Sequence, residues 1–344
     1  MSSPTKRVAV IGAGVSGLVS IKCCNDEGLG PVCFEQSEEI AGIWNYHDNP
    51  REGDGAALYE NLVTNTSKNM MCFSDFPFSR EAPPYLRHHL VLRYYQQYAE
   101  HFGLYKFIKF NTKVLKIKPV ANFSQTGQWE VYVKTNGQSE RKEVYDAVMC
   151  CTGLNSSPYM PEIEGMDLFE GSVLHSNRFR RDSDFREKTV VVVGDAYSAG
   201  DVAVETSRCA KQVYISMRDG TFVIRRMGSK AIPIHERTHK RVMKLLPVAV
   251  RNYALETLVL SELNHTRMGL KSSKPMYKHR VMINDEIANR IFCGAVECKP
   301  VIQQLNKRSV KFVDGTVVDD VDAVICATGY NATFPYLDND VLAG

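Results

Sequence analysis

The sequence predicts an α/β chain of two nested, doubly wound units with a β-meander insertion, and three observations carry that prediction. The first is KRVAVIGAGVSG (Lys6–Gly17). Val8–Ile11 are apolar and mostly β-branched, as in a buried parallel strand, and Gly12, Gly14 and Gly17 follow as G-x-G-x-x-G. The second is a further strand ending in an acid, PVCFE (Pro31–Glu35), at the spacing of about 20 residues where a carboxylate accepts ribose hydroxyls. The third is repetition. KTVVVVGDAYSAG starts another strand, turn and helix, and DAVMCCTG (146–153) and DAVICATG (322–329) close the two units with nearly one string. Two copies of a Rossmann-like architecture imply two dinucleotides side by side.

In the first unit Gly12 permits a tight turn, Gly14 lets backbone approach a pyrophosphate, and Gly17 lets the helix Ser16–Cys24 pack on the strand. The free N–H groups of that helix face the phosphates. QSEEIAGIWNY follows, and two readings of it stay open: Gly42 and Trp44 lie close to a flavin or ribose, or the segment is a loop with a packed Trp. Residues 48–57 are polar and Gly-rich, hence loop. A Tyr-rich amphipathic helix is expected over about 87–102. KFIKFNTKVLKI and QWEVYVKT then alternate as strands, with Asn136-Gly137 as a type I′ hairpin turn.

The second unit repeats the plan: a strand at Val190–Val193, a turn at Gly194, a helix over Ser198–Arg208 and a strand in QVYISMR (212–218). Arg218 follows Gly194 at nearly the spacing of Glu35 from Gly12. Where the first unit places an acid, the second places a base, which suits a 2′-phosphate and favours NADPH over NADH. Between 230 and 300 lie an amphipathic helical region, about 237–263 with an interruption at Pro247, and a polar loop, HTRMGLKSSKP.

Composition bounds the alternatives. The 344 residues suffice for two domains with a large core. A net charge of +3 points to neither nucleic acid nor an anionic membrane as a partner. No apolar run approaches the ~18 residues of a spanning helix, so a cytoplasmic chain is expected as written. The ten cysteines lie mostly in apolar patterns, form no zinc-type C-x-x-C pair, and are expected reduced; no metal site is expected.

FEGSVLHSNRF (169–179) fits F-x-G-x-x-x-H-x-x-x-(Y/F) with Phe169, Gly171, His175 and Phe179 in place. With TNTSK (64–68) and ATGY (327–330), it makes the chain resemble the flavin-containing monooxygenases, dimethylaniline monooxygenase-like, over nearly its whole length. Phe179 in place of Trp sets it apart from the Baeyer–Villiger relatives. The resemblance implies a reaction of xenobiotic metabolism: NADPH reduces FAD, O₂ adds at the flavin C4a, and the hydroperoxide passes one oxygen to a soft amine or sulfide. It also implies site residues. Asn65 is the catalytic amide; Gly12, Ala13, Gly14, Val15, Ser16, Gly17, Glu35, Ile43, Trp44, Asn65 and Thr66 contact FAD; Thr64, Asn65, Gly194, Ser198, Asp201 and Arg218 contact NADP.

The expected domains are an FAD unit, 1–165 plus 326–344, and an NADP unit, 166–325. A homo-oligomer is compatible with this plan. Two local departures from the family stand out: Ala196 and Asp195 in the second glycine loop, expected to weaken NADPH by roughly 1–2 kcal/mol, and Ala41 in place of a glycine. The family's chains also continue well beyond the counterpart of Gly344. That region covers the flavin and in many members ends in an endoplasmic-reticulum membrane anchor, so the FAD unit is expected to be incomplete. Two alternatives therefore stand beside the monooxygenase: a truncated, uncoupled or non-catalytic cofactor-binding fragment, and a flavin disulfide reductase using Cys293 and Cys298.

Overall fold

The computed structural model describes residues 5–49, 55–238, 240–278, 281–338 and 341. Part of the expected 48–57 loop lies outside them. Strand β1 (Arg7–Ile11) leads through a glycine turn into helix α1 (Val15–Asp26) and back along β2 (Gly30–Phe34). Helix α2 (His88–His101) buries Val91, Tyr94, Tyr95 and Tyr98, and Tyr98 packs 4.6 Å from the ring of Phe73. Strand β3 (Ile108–Lys109) joins the edge of β2.

Strands β4 (Thr112–Pro119), β5 (Trp129–Thr135) and β6 (Arg141–Tyr145) form the antiparallel meander, and β7 (Ala147–Cys150) returns beside β1. The parallel sheet runs β3-β2-β1-β7. The alternation of β1 serves two layers: Val8 and Val10 meet Leu18 and Ile21 of α1, while Ala9 and Ile11 meet Val114, Ile117, Val131 and Val133 of the meander. The β5–β6 turn differs from expectation. Gly137 has φ +74°, but Asn136 is not left-handed, so the turn is not type I′, and the loop extends to Arg141 with Gln138 N–H bonded to Thr135 O.

A short pair, β8 (Ser157–Pro158), precedes β9 (Ser172–His175). Then come β10 (Thr189–Val193), α3 (Tyr197–Thr206), β11 (Gln212–Ser216) and β12 (Val223–Ile224). The helical region resolves into a short helix (Ile234–Thr238), a 3-10 turn (Arg241–Leu245) and α4 (Val248–Glu262), which starts behind Pro247. Strand β13 (Met282–Ile283) pairs with β12; α5 (Ile287–Phe292) and β14 (Val296–Lys299) follow.

A second three-stranded meander, β15 (Ile302–Leu305), β16 (Val310–Phe312) and β17 (Val317–Val318), precedes β18 (Ala323–Cys326), just as the first precedes β7. The repeat is therefore longer than its shared DAV strings. The second parallel sheet runs β14-β11-β10-β18-β9. Last, β19 (Tyr330–Asn331) pairs with β8, and Tyr336 returns to the first unit, where its carbonyl accepts Ile117 N–H and its hydroxyl lies 2.8 Å from Thr152 Oγ1. Among the described residues no helix is long and apolar enough to cross a membrane.

The two units agree in register: Val8 pairs with Ala147, and Val190 with Ala323. The Asp of each DAV string makes the same bond, Asp146 Oδ2 accepting Arg7 N–H at 2.8 Å and Asp322 Oδ2 accepting Thr189 N–H at 2.9 Å. The F-x-G-x-x-x-H-x-x-x-F string proves architectural. Phe169 and Phe179 are buried, and a Cβ on Gly171 would lie 2.5 Å from the Phe169 ring and 2.7 Å from Asp322 O. His175 Nδ1 accepts Asn177 N–H, which leaves its Nε2 to donate to Gly329 O at 2.9 Å, joining the ends of β9 and β18.

Candidate functional site: two cradles and the amide between them

In the first cradle the three glycines have three different causes. Gly12 has φ +96°, and a Cβ there would lie 2.9 Å from Cys151 O. A Cβ on Gly17 would lie 1.9 Å from Gly12 O, so helix and strand could not keep their distance. Gly14 has an ordinary φ of −67°, and its Cβ would meet only Gly42 Cα, at 3.9 Å. The protein itself has no need of glycine there. Gly14 is the N-cap of α1, and no side chain caps the helix, so the first-turn N–H groups of Val15, Ser16 and Gly17 are left to a ligand. A pyrophosphate fits this cradle.

Around it, Ala41 N–H bonds to Ala13 O and sets Gly42 opposite Gly14. Ala41 itself has φ +73°, the left-handed region that the glycine it replaces would occupy without strain. Ile43 is exposed, while Trp44 packs 6.4 Å from the ring of Tyr95, a contact that either reading of this segment accommodates. Glu35 is buried at the end of β2. Its Oε1 accepts both the N–H and the hydroxyl of Ser37 at 2.8 Å, and its Oε2 accepts Ala13 N–H at 2.7 Å. Oε2 therefore keeps acceptor capacity for a ribose hydroxyl, whereas Oε1 is committed to shaping the loop.

The second cradle repeats the first with side chains added. Gly194 N–H bonds to Ser216 O as Gly12 N–H bonds to Phe34 O. Ala196 is the N-cap of α3, with φ −118° and again no side-chain cap. Ala199 replaces the third glycine and is fully buried. Ser198 is exposed in the first turn. Arg218 stands beyond the end of β11, its side chain 80% exposed and 3.6 Å from Asp219.

Asp201 lies one turn further along α3 and faces the first unit. It is buried, and Asn284 Nδ2 donates to it at 2.8 Å. Burial pushes its carboxyl up to about 6 against the opposing pull of Arg226 and of hydrogen bonds from Asn284 and Tyr59. It lines a cavity of about 390 Å³ between the units, with Tyr59, Asn61, Glu205, Arg226 and Asn284.

Thr64 and Asn65 meet this wall through Arg226, a residue that sequence reasoning missed. Arg226 Nε donates to Thr64 O at 3.1 Å, Nη2 donates to Asn65 Oδ1 at 2.8 Å, and Nη1 to Asp285 Oδ2 at 3.0 Å. Arg226 thereby orients the Asn65 amide through one of the two acceptor positions of Oδ1, and points the NH₂ as the donor left to act on a substrate. From the other side the TNTSK loop is held by Thr64 N–H to Leu86 O and Leu86 N–H to Thr64 Oγ1. Thr66 is half-buried in the same loop. No motif flags Arg226; only its place after β12 brings it to Asn65.

The disulfide-reductase alternative finds no support. All ten cysteines are free. Cys293 is exposed at the end of α5, while Cys298 sits in β14 with its thiol pushed up to about 12 by burial, the opposite of a reactive thiolate.

Similarity to known proteins agrees with this geometry. The chain is 39% identical over 343 residues to dimethylaniline monooxygenase [N-oxide-forming] 2 of Macaca mulatta, covering 98% of this chain and 64% of that protein. It is 40% identical over 342 residues to flavin-containing monooxygenase 5 of Rattus norvegicus, with the same coverage. The chain thus spans 64% of the length of these curated relatives. Among solved structures, S-allyl-L-cysteine S-oxygenase from Allium sativum superposes with a TM-score of 0.70 at 25% identity, over 99% of this chain and 66% of that one. The OTEMO complex with FAD and NADP shares the fold at 20% identity, with a TM-score of 0.71 over 96% of this chain and 72% of that one. The profile of the flavin-binding monooxygenase-like family matches residues 5–343, and the chain belongs to that family.

Proposed function

We propose that the chain is built to hold FAD in the first cradle and NADPH in the second, and to oxygenate a soft nitrogen or sulfur nucleophile with O₂. The observation that carries this reading is Gly14, a glycine that neither its φ nor any neighbouring atom requires, at an uncapped helix N-terminus. Bound FAD would supply oxygen activation, with NADPH as the electron source. The names of the relatives, an N-oxide-forming enzyme and an S-oxygenase, support nitrogen and sulfur as the oxygenated atoms.

The proposed domains are 1–165 plus 326–344 for FAD and 166–325 for NADP. In the first, Gly12–Gly17 offer backbone N–H groups to the pyrophosphate, Glu35 Oε2 accepts from the ribose, and Ile43, Trp44 and Thr66 border the flavin. In the second, Gly194 and Ser198 meet the phosphates and Arg218 the 2′-phosphate. Asp201 acts at one remove, through the charge network of Arg226. Asn65 Nδ2 donates a hydrogen bond to the reacting oxygen or the nicotinamide amide, its Oδ1 being held by Arg226.

The visible spectrum of the purified chain tests this. The reading predicts a flavin spectrum that bleaches on anaerobic NADPH addition and recovers in air, with one N- or S-oxide formed per NADPH. Recovery with peroxide alone as product marks the uncoupled alternative. A chain that takes up no FAD contradicts both.

A further inference from the structure

The loop HTRMGLKSSKP carries no role in the reading above, yet the structure lays it against the turn that follows β11. Two backbone bonds and one to a side chain zip the two segments: Leu270 O accepts Thr221 N–H at 2.9 Å, Asp219 O accepts Ser273 N–H at 2.9 Å, and the imidazole Nε2 of His265 accepts Val223 N–H at 3.1 Å. Gly220 sits where they touch; with φ +72°, its Cβ would lie 2.2 Å from Lys271 O. The same turn is tied to the second glycine loop, since Thr221 Oγ1 donates to Asp195 O at 2.6 Å. The loop thus borders the second cradle at the end of β11, where a doubly wound fold places the 2′ substituent of the adenosine ribose.

What the loop brings there is positive charge and hydroxyls. Lys274 Nζ lies 2.6 Å from Asp219 Oδ2, and Arg218 Nε lies 3.6 Å from that same oxygen. Ser273 Oγ donates to Asp219 Oδ1 at 3.2 Å. One carboxylate therefore gathers two cations and a hydroxyl at the mouth of the cradle. Asp219 stays ionised, its carboxyl held below the usual range by the hydrogen bond from Lys274, and its charge is offset by that lysine. An exposed Arg218 alone discriminates weakly between a phosphate and a hydroxyl, because water screens a single mobile charge. A phosphate dianion is better met by two cations converging from separate segments.

We propose that the loop 271–274 completes the 2′-phosphate pocket begun by Arg218, with Lys274 as its second cation and Asp219 as the bracket that aligns the pair. This rests on the assignment of the second cradle to NADP. It makes Lys274, outside any nucleotide-binding motif, a determinant of the preference for NADPH over NADH.

Equilibrium binding of 2′,5′-ADP, 5′-AMP and inorganic phosphate to the purified chain tests the proposal without any turnover. Wild type is expected to bind 2′,5′-ADP more tightly than 5′-AMP. Lys274→Ala is expected to weaken 2′,5′-ADP by about tenfold while 5′-AMP stays within about twofold, and Lys274→Arg to restore most of the loss. Thermal midpoints without ligand check that the variants fold alike. Equal weakening of both nucleotides, or no weakening of either, overturns the role of Lys274 and leaves the cradle assignment standing. Inorganic phosphate that binds as tightly as 2′,5′-ADP makes the Arg218–Asp219–Lys274 cluster a free-anion site and overturns the proposal. A wild type indifferent to the 2′-phosphate removes the NADP assignment itself.

Discussion

The two cradles share a register, a turn and a terminal aspartate, but they differ in where they accept a side chain. The first keeps three glycines; the second has Gly194, Ala196 and Ala199. At the third position the difference is a matter of spacing. A Cβ on Gly17 would meet Gly12 O at 1.9 Å, whereas α3 stands far enough from its strand to bury the methyl of Ala199. At the second position the difference concerns the ligand, because neither Gly14 nor Ala196 occupies a conformation that excludes a side chain. The sheets differ as well. Strand β18 is buried throughout with β9 alongside it, while its copy β7 ends its sheet with Met149 and Cys150 exposed. The shared plan is thus tighter at its turn in the first unit and extended by one further strand in the second.

Substitution at the third glycine gives the sharpest contrast. Gly17→Ala is expected to cost about 4 kcal/mol or more, because the clash is with backbone, while Ala199→Gly costs about 1 kcal/mol. Chemical denaturation measures both, and equal costs would mean that the two helix–strand distances do not differ as described. Next comes the link between the units. Arg226→Met leaves Asp201 and Asp285 without their cation and is expected to cost about 3 kcal/mol. A loss under about 0.5 kcal/mol would show that the clamp on Asn65 is ornamental.

Acid should separate the units further. Burial lowers His88 in the first unit, and His175 and His265 in the second, below the ordinary 6.5. The unfolded chain then binds more protons than the folded one as pH falls from about 6.5 toward the folded values. Their contribution to stability is whole above 6.5 and is lost as pH drops through those values. Asp201, raised to about 6, takes up its proton in the folded second unit over the same window and opposes this. In Asp201→Asn the second unit, with two of the three histidines, should therefore loosen first, as read by amide exchange at pH 7.5 and pH 5.5; earlier loosening of the first unit would contradict this. The smallest expected effect is at Ala41. Relief of its positive φ by Ala41→Gly, less the buried methyl, should raise stability by about 0.5 kcal/mol, whereas Ala196→Gly relieves no strain and should not. Matched thermal melts decide between these outcomes.

Both cradles were legible in the sequence because each is local: strand, glycine turn and helix within one short stretch, followed by an acid or a base. The register of β7 and β18 was legible from the DAV strings, which repeat the bonding aspartate with its strand. The second meander was harder to read, because alternation is carried only by VKF, while a register shift after Ile302 breaks it in VIQQL. The Asn136-Gly137 turn was misjudged because a longer loop relaxes the demand for two left-handed residues. Arg226, Asp285 and Lys274 were invisible for a different reason. They reach the cradles from segments far along the chain, after β12, after β13 and after α4, and only tertiary packing brings them to Asn65 and Arg218. Glu35 was placed correctly at the end of β2, but its use in holding Ala13 and Ser37 was hidden, since one carboxylate can serve both loop and ligand.

The most direct test of the two-cradle account is Gly14→Ala. The structure gives its Cβ ordinary contact with Gly42 Cα at 3.9 Å, so the ligand-free protein should melt as wild type does. The added methyl should nevertheless crowd the pyrophosphate, as Ala196 is expected to do in the second cradle: the purified variant should bind FAD more weakly by roughly 1–2 kcal/mol and bind NADP⁺ as wild type does. A Gly14→Ala chain that keeps FAD with wild-type affinity would contradict the account.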